Sequence, residues 1–197
     1  MNDQLDYMAG RVTAGKMTRR EFMGKAAALG VSAAMASTLF ADAARAAGPA
    51  KGGHLKMGSV GGESTNSLDP ALAASQVPYH VLYNFGENLV QINADGSLNM
   101  RVAESIESSA DAKTWMFKIR GGVEFHNGKT VTAEDVLKTM ERHSNEESKS
   151  GALGIMRGIE SMKAEGDVFS VTLNAPNADL PYLMADYHLM IQPGGGM

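Results

Sequence analysis

Apolar and polar residues alternate most regularly in two stretches of the second half of the chain. The first, TWMFKIR, begins at Thr114, and the second, KAEGDVFSVTL, begins at Lys163. A period of two is typical of strands that are buried on one face only. The second stretch is predicted to be a hairpin that turns at Gly166-Asp167. The inward-facing positions are Trp115, Phe117, Ile119, Phe169, Val171 and Leu173.

Helical spacing is found once between these two stretches and once before them. A helix is predicted from Ala133, and Thr132 and Asp135 have the spacing of a capping box in which Asp replaces the usual Glu. A second helix is predicted with Pro78 in its first turn. The apolar positions of the two helices are Val136, Leu137 and Met140 in the first and Tyr79, Leu82, Tyr83 and Phe85 in the second.

Shorter elements are predicted from turn signals. HLKMGSV, residues 54–60, reads as a strand with Leu55 and Met57 on one face, and it leads into the polar loop GGESTNSLDP. ENLVQINADGSLNM reads as two short strands, and further turns are predicted at residues 94–96 and 111–113. NAPNADLPYLM reads as a loop and a short helix. YHLMIQPGGGM reads as a strand and a loop with no closing element, so we expect the chain to be part of a longer protein.

The first 46 residues have the order of parts of an export signal. Two adjacent arginines, Arg19 and Arg20, precede fifteen uncharged residues from Ala26 to Phe40, and Ala44-Arg45-Ala46 suits a signal peptidase. The uncharged run is shorter than the roughly 18–20 residues that a membrane span needs. We therefore expect residues 1–46 to be a cleavable signal peptide and residues 47–197 to be the exported part, beginning with a linker at 47–53.

The arginine pair favours one export route. Thr-Arg-Arg-Glu-Phe-Met resembles the Ser/Thr-Arg-Arg-x-Phe-Leu pattern of twin-arginine signals, and the alternative is an ordinary basic segment of a general secretory signal. The chain has no cysteine, so neither a disulfide nor a cysteine-linked lipid anchor is expected. The expected location is therefore the periplasm, without a lipid anchor.

Charge excludes one class of partner. The whole chain has a formal net charge of −4, and the first 46 residues carry six Lys/Arg against four Asp/Glu, which leaves −6 on the remainder. A body of that sign is not suited to nucleic acid.

The stretch GGVEFHNGKT, residues 121–130, ends like a phosphate-binding loop but lacks its first glycine. Counting back from Gly128, that position is Val123, and the residues between are bulky and alternate like a strand. His126 has no second histidine or carboxylate one helical turn away, and His54, His80, His143 and His188 are scattered. We therefore predict no catalytic residue, no metal site and no cofactor, and we interpret Asn127-Gly128 as a turn.

The same region carries a family likeness. FKIRGGVEFHNGKTVTAEDV resembles the signature region of the family 5 extracellular solute-binding proteins, the dipeptide-, oligopeptide- and nickel-binding subunits of ABC importers. GGHLKMG is similar to that family's first strand, Ser67-Leu68-Asp69-Pro70 to its Leu-Asp-Pro loop, and Asn174-Ala175-Pro176 with Pro181-Tyr182-Leu183 to its later loop and helix. The likeness runs from Gly52 to Pro193, and it departs at Ile106, where the family usually has tryptophan.

The resemblance implies an α/β fold, a two-lobed clamp of the periplasmic-binding-protein type II kind, with only the region of the amino-terminal lobe in this chain. It implies a protein that does no chemistry, binds a small solute such as a di- or oligopeptide, and delivers it to a membrane permease. Peptide, nickel-chelate, opine and sugar binders share this framework, so the solute stays open.

Two further alternatives remain at this stage. The loop after the first predicted strand offers carboxylate, hydroxyl and amide groups, so Glu63, Ser64, Thr65 and Asn66 are predicted to contact the solute, against the alternative of a solvated loop. The rival functional class is an exported enzyme or cofactor protein that uses the twin-arginine route.

Overall fold

A computed structural model describes residues 3–48 and 52–196 and divides the chain into two units, Met1–Met57 and Gly58–Met197. Residues 49–51 of the predicted linker lie outside the described part. The division at Met57 does not coincide with Ala46, and cleavage after Ala46 stays a prediction.

The described part of the first unit contains three helices, α1 Asp3–Thr13, α2 Arg19–Ala28 and α3 Ala33–Ala46. They share an apolar cluster in which Phe22 is fully buried and meets Phe40 edge-on, with ring centroids 5.7 Å apart. The uncharged run from Ala26 to Phe40 is not one helix, because Gly30 takes φ +77° between α2 and α3. Within the described residues, no helix is long and apolar enough to cross a membrane.

In the residues that the structure describes, the second unit contains six strands, four helices and three short 3₁₀ turns. The strands are β1 Val90–Ile92, β2 Leu98–Met100, β3 Ala103–Ser108, β4 Thr114–Ile119, β5 Ile159–Glu165 and β6 Val168–Leu173. The helices are α4 Gln76–Leu82, α5 Ala133–Ser144, α6 Leu153–Met156 and α7 Leu180–Leu183. The 3₁₀ turns are Pro70–Leu72, Tyr187–Leu189 and Pro193–Gly195.

The strands form two antiparallel sheets. β1 pairs with β2, and the larger sheet has the order β3-β4-β6-β5. The apolar positions of the alternating pattern in β4 and β6 face the core, as predicted. Phe117 lies opposite Phe169 in the register, and both are fully buried. Helix α5 packs its apolar face on the same core, with Val136 and Met140 fully buried.

Local signals in the sequence are confirmed at the ends of these elements. The Thr132 hydroxyl accepts from the Asp135 amide, and the Asp135 carboxylate accepts from the Thr132 amide at 3.0 Å, so the capping box forms. The hairpin between β5 and β6 turns at Gly166, where φ is +62°. Helix α4 holds Pro78 in its first turn, as predicted, but ends at Leu82, so Phe85 lies beyond it.

Two predicted strands are wrong. Residues 54–60 form no strand, and Leu55 and Met57 are 84% and 72% exposed, because no other strand in the described residues pairs with them. The predicted strand at Tyr187 is instead the 3₁₀ turn Tyr187–Leu189, capped by the Asp186 carboxylate, which accepts from the His188 amide. A short polar-capped turn satisfies those backbone groups without a partner strand.

Candidate functional site

The polar loop at 61–66 is closed by hydrogen bonds to its own backbone and to Ser75. The Gly61 carbonyl accepts from Asn66 Nδ2 at 2.6 Å, and Ser75 Oγ lies 2.7 Å from the same carbonyl and 2.8 Å from Asn66 Oδ1. Ser75 is the residue before α4, and its carbonyl accepts from the Tyr79 amide at 3.2 Å. The loop is therefore fastened to the amino end of α4.

Gly61 is required for this closure. Its φ is +86°, and a Cβ placed there would lie 2.7 Å from Ser75 Cβ. A larger residue would strain the backbone and collide with Ser75 at once. The neighbouring Gly62 has neither a positive φ nor any atom within 4 Å of such a Cβ.

The four residues predicted to contact a ligand differ in their surroundings. Glu63, Ser64 and Thr65 are exposed, whereas Asn66 is partly buried and uses its side-chain amide inside the loop. Asn66 thus holds the loop in shape, and the carboxylate and two hydroxyls beside it face solvent. The sequence did not indicate the role of Ser75, which acts across fourteen residues.

The stretch around His126 is a turn, as predicted. The Phe125 amide donates to the Lys129 carbonyl at 2.8 Å, and Gly128 has φ +78°. His126 Nε2 lies 3.0 Å from the Phe85 carbonyl, so this histidine ties the turn to the segment after α4. In the described parts of the chain, no three His, Asp or Glu side chains are grouped as a metal site.

A mainly apolar cavity of about 350 Å³ lies beside this turn. It is enclosed by the segments 85–87, 123–127 and 190–193, together with Pro70, Val102 and Val131. Its polar rim includes Glu87, which pairs with Arg101. The cavity can hold a small apolar group, and its titratable lining residues are Glu87, Glu124 and His126.

Two histidines that the sequence left as scattered each make buried hydrogen bonds. His143 is fully buried, and its Nδ1 lies 2.6 Å from Ser150 Oγ. His188 lies 2.6 Å from Asp186 through Nδ1 and 3.0 Å from the Ala73 carbonyl through Nε2. The His143 contact joins α5 to the segment before α6, and the His188 contact joins the 3₁₀ turn at Tyr187 to the segment before α4.

Burial and these local contacts shift the pKa values of His143 and Asp186. Burial lowers the pKa of His143 to about 4, and the neighbouring Arg142 and His188 act in the same direction. Burial alone would raise the pKa of Asp186, but hydrogen bonds from the His188 side chain and backbone outweigh it and lower that pKa. Asp186 is therefore ionised at neutral pH.

The arginine pair lies at the start of α2. Arg19 and Arg20 are exposed, and Thr18 caps the helix in a capping box with Glu21. Phe22, the third conspicuous residue of the export-like pattern, is fully buried. The two cations are therefore presented to solvent while the aromatic residue packs inside the first unit.

Comparison with known proteins assigns the second unit to a family. Residues 97–194 match the family model of the bacterial extracellular solute-binding proteins, family 5 Middle. The oligopeptide-binding protein OppA of Bacillus subtilis (strain 168) is 36% identical over 115 residues, which are 56% of this chain and 21% of that protein. The chain belongs to the family 5 extracellular solute-binding proteins, which confirms the resemblance stated above.

Solved structures agree on the fold. AgaA of A. tumefaciens R10, solved with agropinic acid, superposes with a TM-score of 0.63 at 26% identity, over 66% of this chain and 27% of that one. The nickel ABC transporter protein of Bacillus halodurans superposes with a TM-score of 0.56 at 29% identity, over 66% and 26% of the two chains. The α/β fold is that of a type II periplasmic binding protein, and the chain spans about a quarter of these relatives' length.

Proposed function

We propose that this chain is the amino-terminal part of the substrate-binding component of an ABC importer, and that the solute is a di- or oligopeptide. The observation that carries the proposal is the family match over residues 97–194, supported by a relative named for oligopeptide binding. Relatives named for agropinic acid and nickel have the same fold, so peptide is chosen on the similarity to OppA.

The proposed mechanism is capture by a two-lobed clamp that involves no bond making or breaking. In such a clamp the solute is buried between lobes, and closure replaces water around its polar groups by fixed protein groups. Glu63, Ser64 and Thr65 are proposed to be solute contacts, because they are exposed on a loop that Gly61, Asn66 and Ser75 hold in one conformation. A loop ordered before binding loses less conformational entropy when the solute arrives. The membrane permease is the proposed partner.

Uptake in the organism that encodes the chain tests this function. Deleting the gene should abolish uptake of at least one labelled di- or oligopeptide, and a plasmid copy should restore it. If the deletion left uptake of every peptide unchanged but abolished uptake of a nickel chelate, an opine or a sugar, the solute would be that compound and not a peptide. Unchanged uptake of all four classes would contradict the function itself.

We also propose that residues 1–46 direct export by the twin-arginine route to the periplasm, where the protein acts without a lipid anchor. Arg19→Lys with Arg20→Lys keeps both charges but removes the planar guanidinium groups that a receptor can read. The double variant should remain in the cytoplasm as uncleaved precursor, whereas Lys25→Arg, on the same helix, should be exported normally. Normal export of the double variant would indicate the general secretory route.

A further inference from the structure

A second pocket in the Gly58–Met197 unit, of about 470 Å³, is lined by three tyrosines. Tyr79 and Tyr83 come from the segment of α4, and Tyr187 comes from the 3₁₀ turn more than 100 residues later. The remaining lining residues are His80, Gln91, Ile92, Ala185 and Asp186. Among the described residues, no lysine or arginine lines this pocket.

The three rings are fixed against one another. Tyr79 is nearly perpendicular to Tyr83, with centroids 4.9 Å apart, and to Tyr187, with centroids 5.0 Å apart. The Tyr83 hydroxyl donates to the Ala185 carbonyl at 3.1 Å, and Tyr187 stacks on His188 at 4.0 Å. Rings packed in this way form an aromatic cluster, and the face of a tyrosine ring has negative electrostatic potential.

The charge beside the rings is also negative. One oxygen of Asp186 accepts from His188, and the other has no hydrogen-bond partner in the described residues. Burial raises the pKa of Tyr83 to about 12, and the nearby charges of Asp186 and Glu87 add to that effect. Asp186 is therefore the carboxylate that lines the pocket beside the rings, whereas Glu87 pairs with Arg101 outside this lining.

We propose that this pocket binds an organic cation, a substituted ammonium or guanidinium group, with the tyrosine faces around the cation and the free oxygen of Asp186 as its counter-charge. Aromatic faces attract such cations within about 6 Å of the ring centroid, and more strongly where water is partly excluded. The proposal concerns this pocket alone and does not depend on the transported solute. The same cationic chemistry occurs in free amines and at the amino end of a peptide.

Titration of the whole chain, followed by NMR of the tyrosine ring protons at millimolar ligand, tests the proposal. Choline and arginine amide should shift the ring signals of Tyr79, Tyr83 and Tyr187 in a saturable way. The neutral isostere of choline, 3,3-dimethylbutan-1-ol, should bind at least about fivefold more weakly, because it lacks the charge. Equal binding of the neutral compound, or saturation by glucose instead of the cations, would overturn the proposal.

Variants distinguish a direct contribution of the tyrosine rings to cation binding from a general effect of lost packing. Tyr79→Leu and Tyr187→Leu should each weaken choline binding about threefold or more, and Tyr79→Phe should keep it within about twofold, since the ring face is retained. Asp186→Asn should weaken binding about fivefold, with unchanged backbone spectra showing that the fold is kept. Tyr182→Leu is the matched control, because Tyr182 is 42% exposed outside this pocket. An equal loss in Tyr182→Leu would contradict the assignment.

Two peptide arms identify the source of the cation. If a peptide's amino end is a ligand, triglycine should shift the same signals, and N-acetyl-triglycine should not. If choline binds and triglycine does not, the ligand is a free organic cation. Absence of saturable binding by choline, arginine amide and triglycine alike would refute the site, whatever the uptake experiment shows.

Discussion

Arg142 on α5 forms an ion pair with Asp69, which precedes the 3₁₀ turn Pro70–Leu72: Nη2 lies 2.6 Å from Oδ2. The two side chains are only 23% and 30% exposed. Asp69 also accepts from the Ala71 amide at 3.0 Å, and Arg142 donates to Gln192 Oε1 at 2.6 Å. The pair therefore joins the segment after the polar loop to α5 and to the chain near Pro193.

Asp69→Asn should lower the free energy of unfolding by about 1–2 kcal/mol, because it leaves Arg142 partly buried without its counter-charge. Urea unfolding measures this loss. Glu165→Gln is the control, since Glu165 pairs with Lys163 on the surface, with 70% and 62% of the side chains exposed. That change should cost less than about 0.5 kcal/mol. Equal effects in both variants would contradict the structural role of the Asp69 pair.

Gly61→Ala should loosen the polar loop, because the new Cβ would lie 2.7 Å from Ser75 Cβ at a backbone φ of +86°. We expect a loss of about 1–2 kcal/mol of unfolding free energy and faster amide exchange at Asn66. Gly62→Ala, one residue later and unobstructed, should change neither quantity measurably. If the two variants behaved alike, the loop would not depend on its contact with Ser75.

Gly128→Val should destabilise the protein by roughly 1 kcal/mol or more, because a β-branched residue is strained at φ +78°. Thermal or urea unfolding gives the value. His126→Ala, in the same turn, removes the contact with the Phe85 carbonyl and should leave solute uptake intact. Loss of uptake in His126→Ala at an unchanged melting temperature would show that the turn contacts the solute.

His143 should make stability fall as the pH is lowered. Its pKa is about 4 in the folded chain against an ordinary value of 6.5, so below pH 6.5 the unfolded chain binds the proton first. The unfolding free energy should therefore decline between pH 6.5 and about 4, by about 3 kcal/mol.

A pair of variants isolates this contribution. His143→Gln cannot titrate and should flatten the decline between pH 7 and 5, whereas the exposed His80→Gln should keep it. Urea unfolding at fixed pH steps provides the comparison. The same pH slope in His143→Gln and in the unaltered protein would show that other groups cause the decline.

Local signals in the sequence predict much of this fold. The alternation around Phe117 and Phe169 and the Thr132 cap depend on neighbours within a few residues, so they can be recognised without the structure. Strand β3 was not predicted, because AESIES has a single large apolar residue, Ile106, which packs partly buried against the core. At residues 54–60 the local pattern favours a strand, but no strand forms there, because no partner strand among the described residues pairs with it.

The sequence predicts less of the candidate sites than of the fold. The exposed polar groups of the loop are visible in the sequence, but Ser75 closes it from fourteen residues away. The aromatic pocket joins Tyr79 to Tyr187 across more than 100 residues, and no local pattern indicates which tyrosines meet. Long-range contacts of this kind depend on the whole packing arrangement.

The proposed clamp is tested most directly by the melting temperature with a solute panel. Residues 47–197 are compared with the longest polypeptide that the gene encodes, using peptides, nickel chelates, opines and sugars below a millimolar. At about 100 times its dissociation constant, the correct solute should stabilise the longer protein by roughly 2.7 kcal/mol and residues 47–197 hardly at all, since one lobe supplies only part of the contacts. An equal rise for residues 47–197 would place the whole site within them and contradict the two-lobed account.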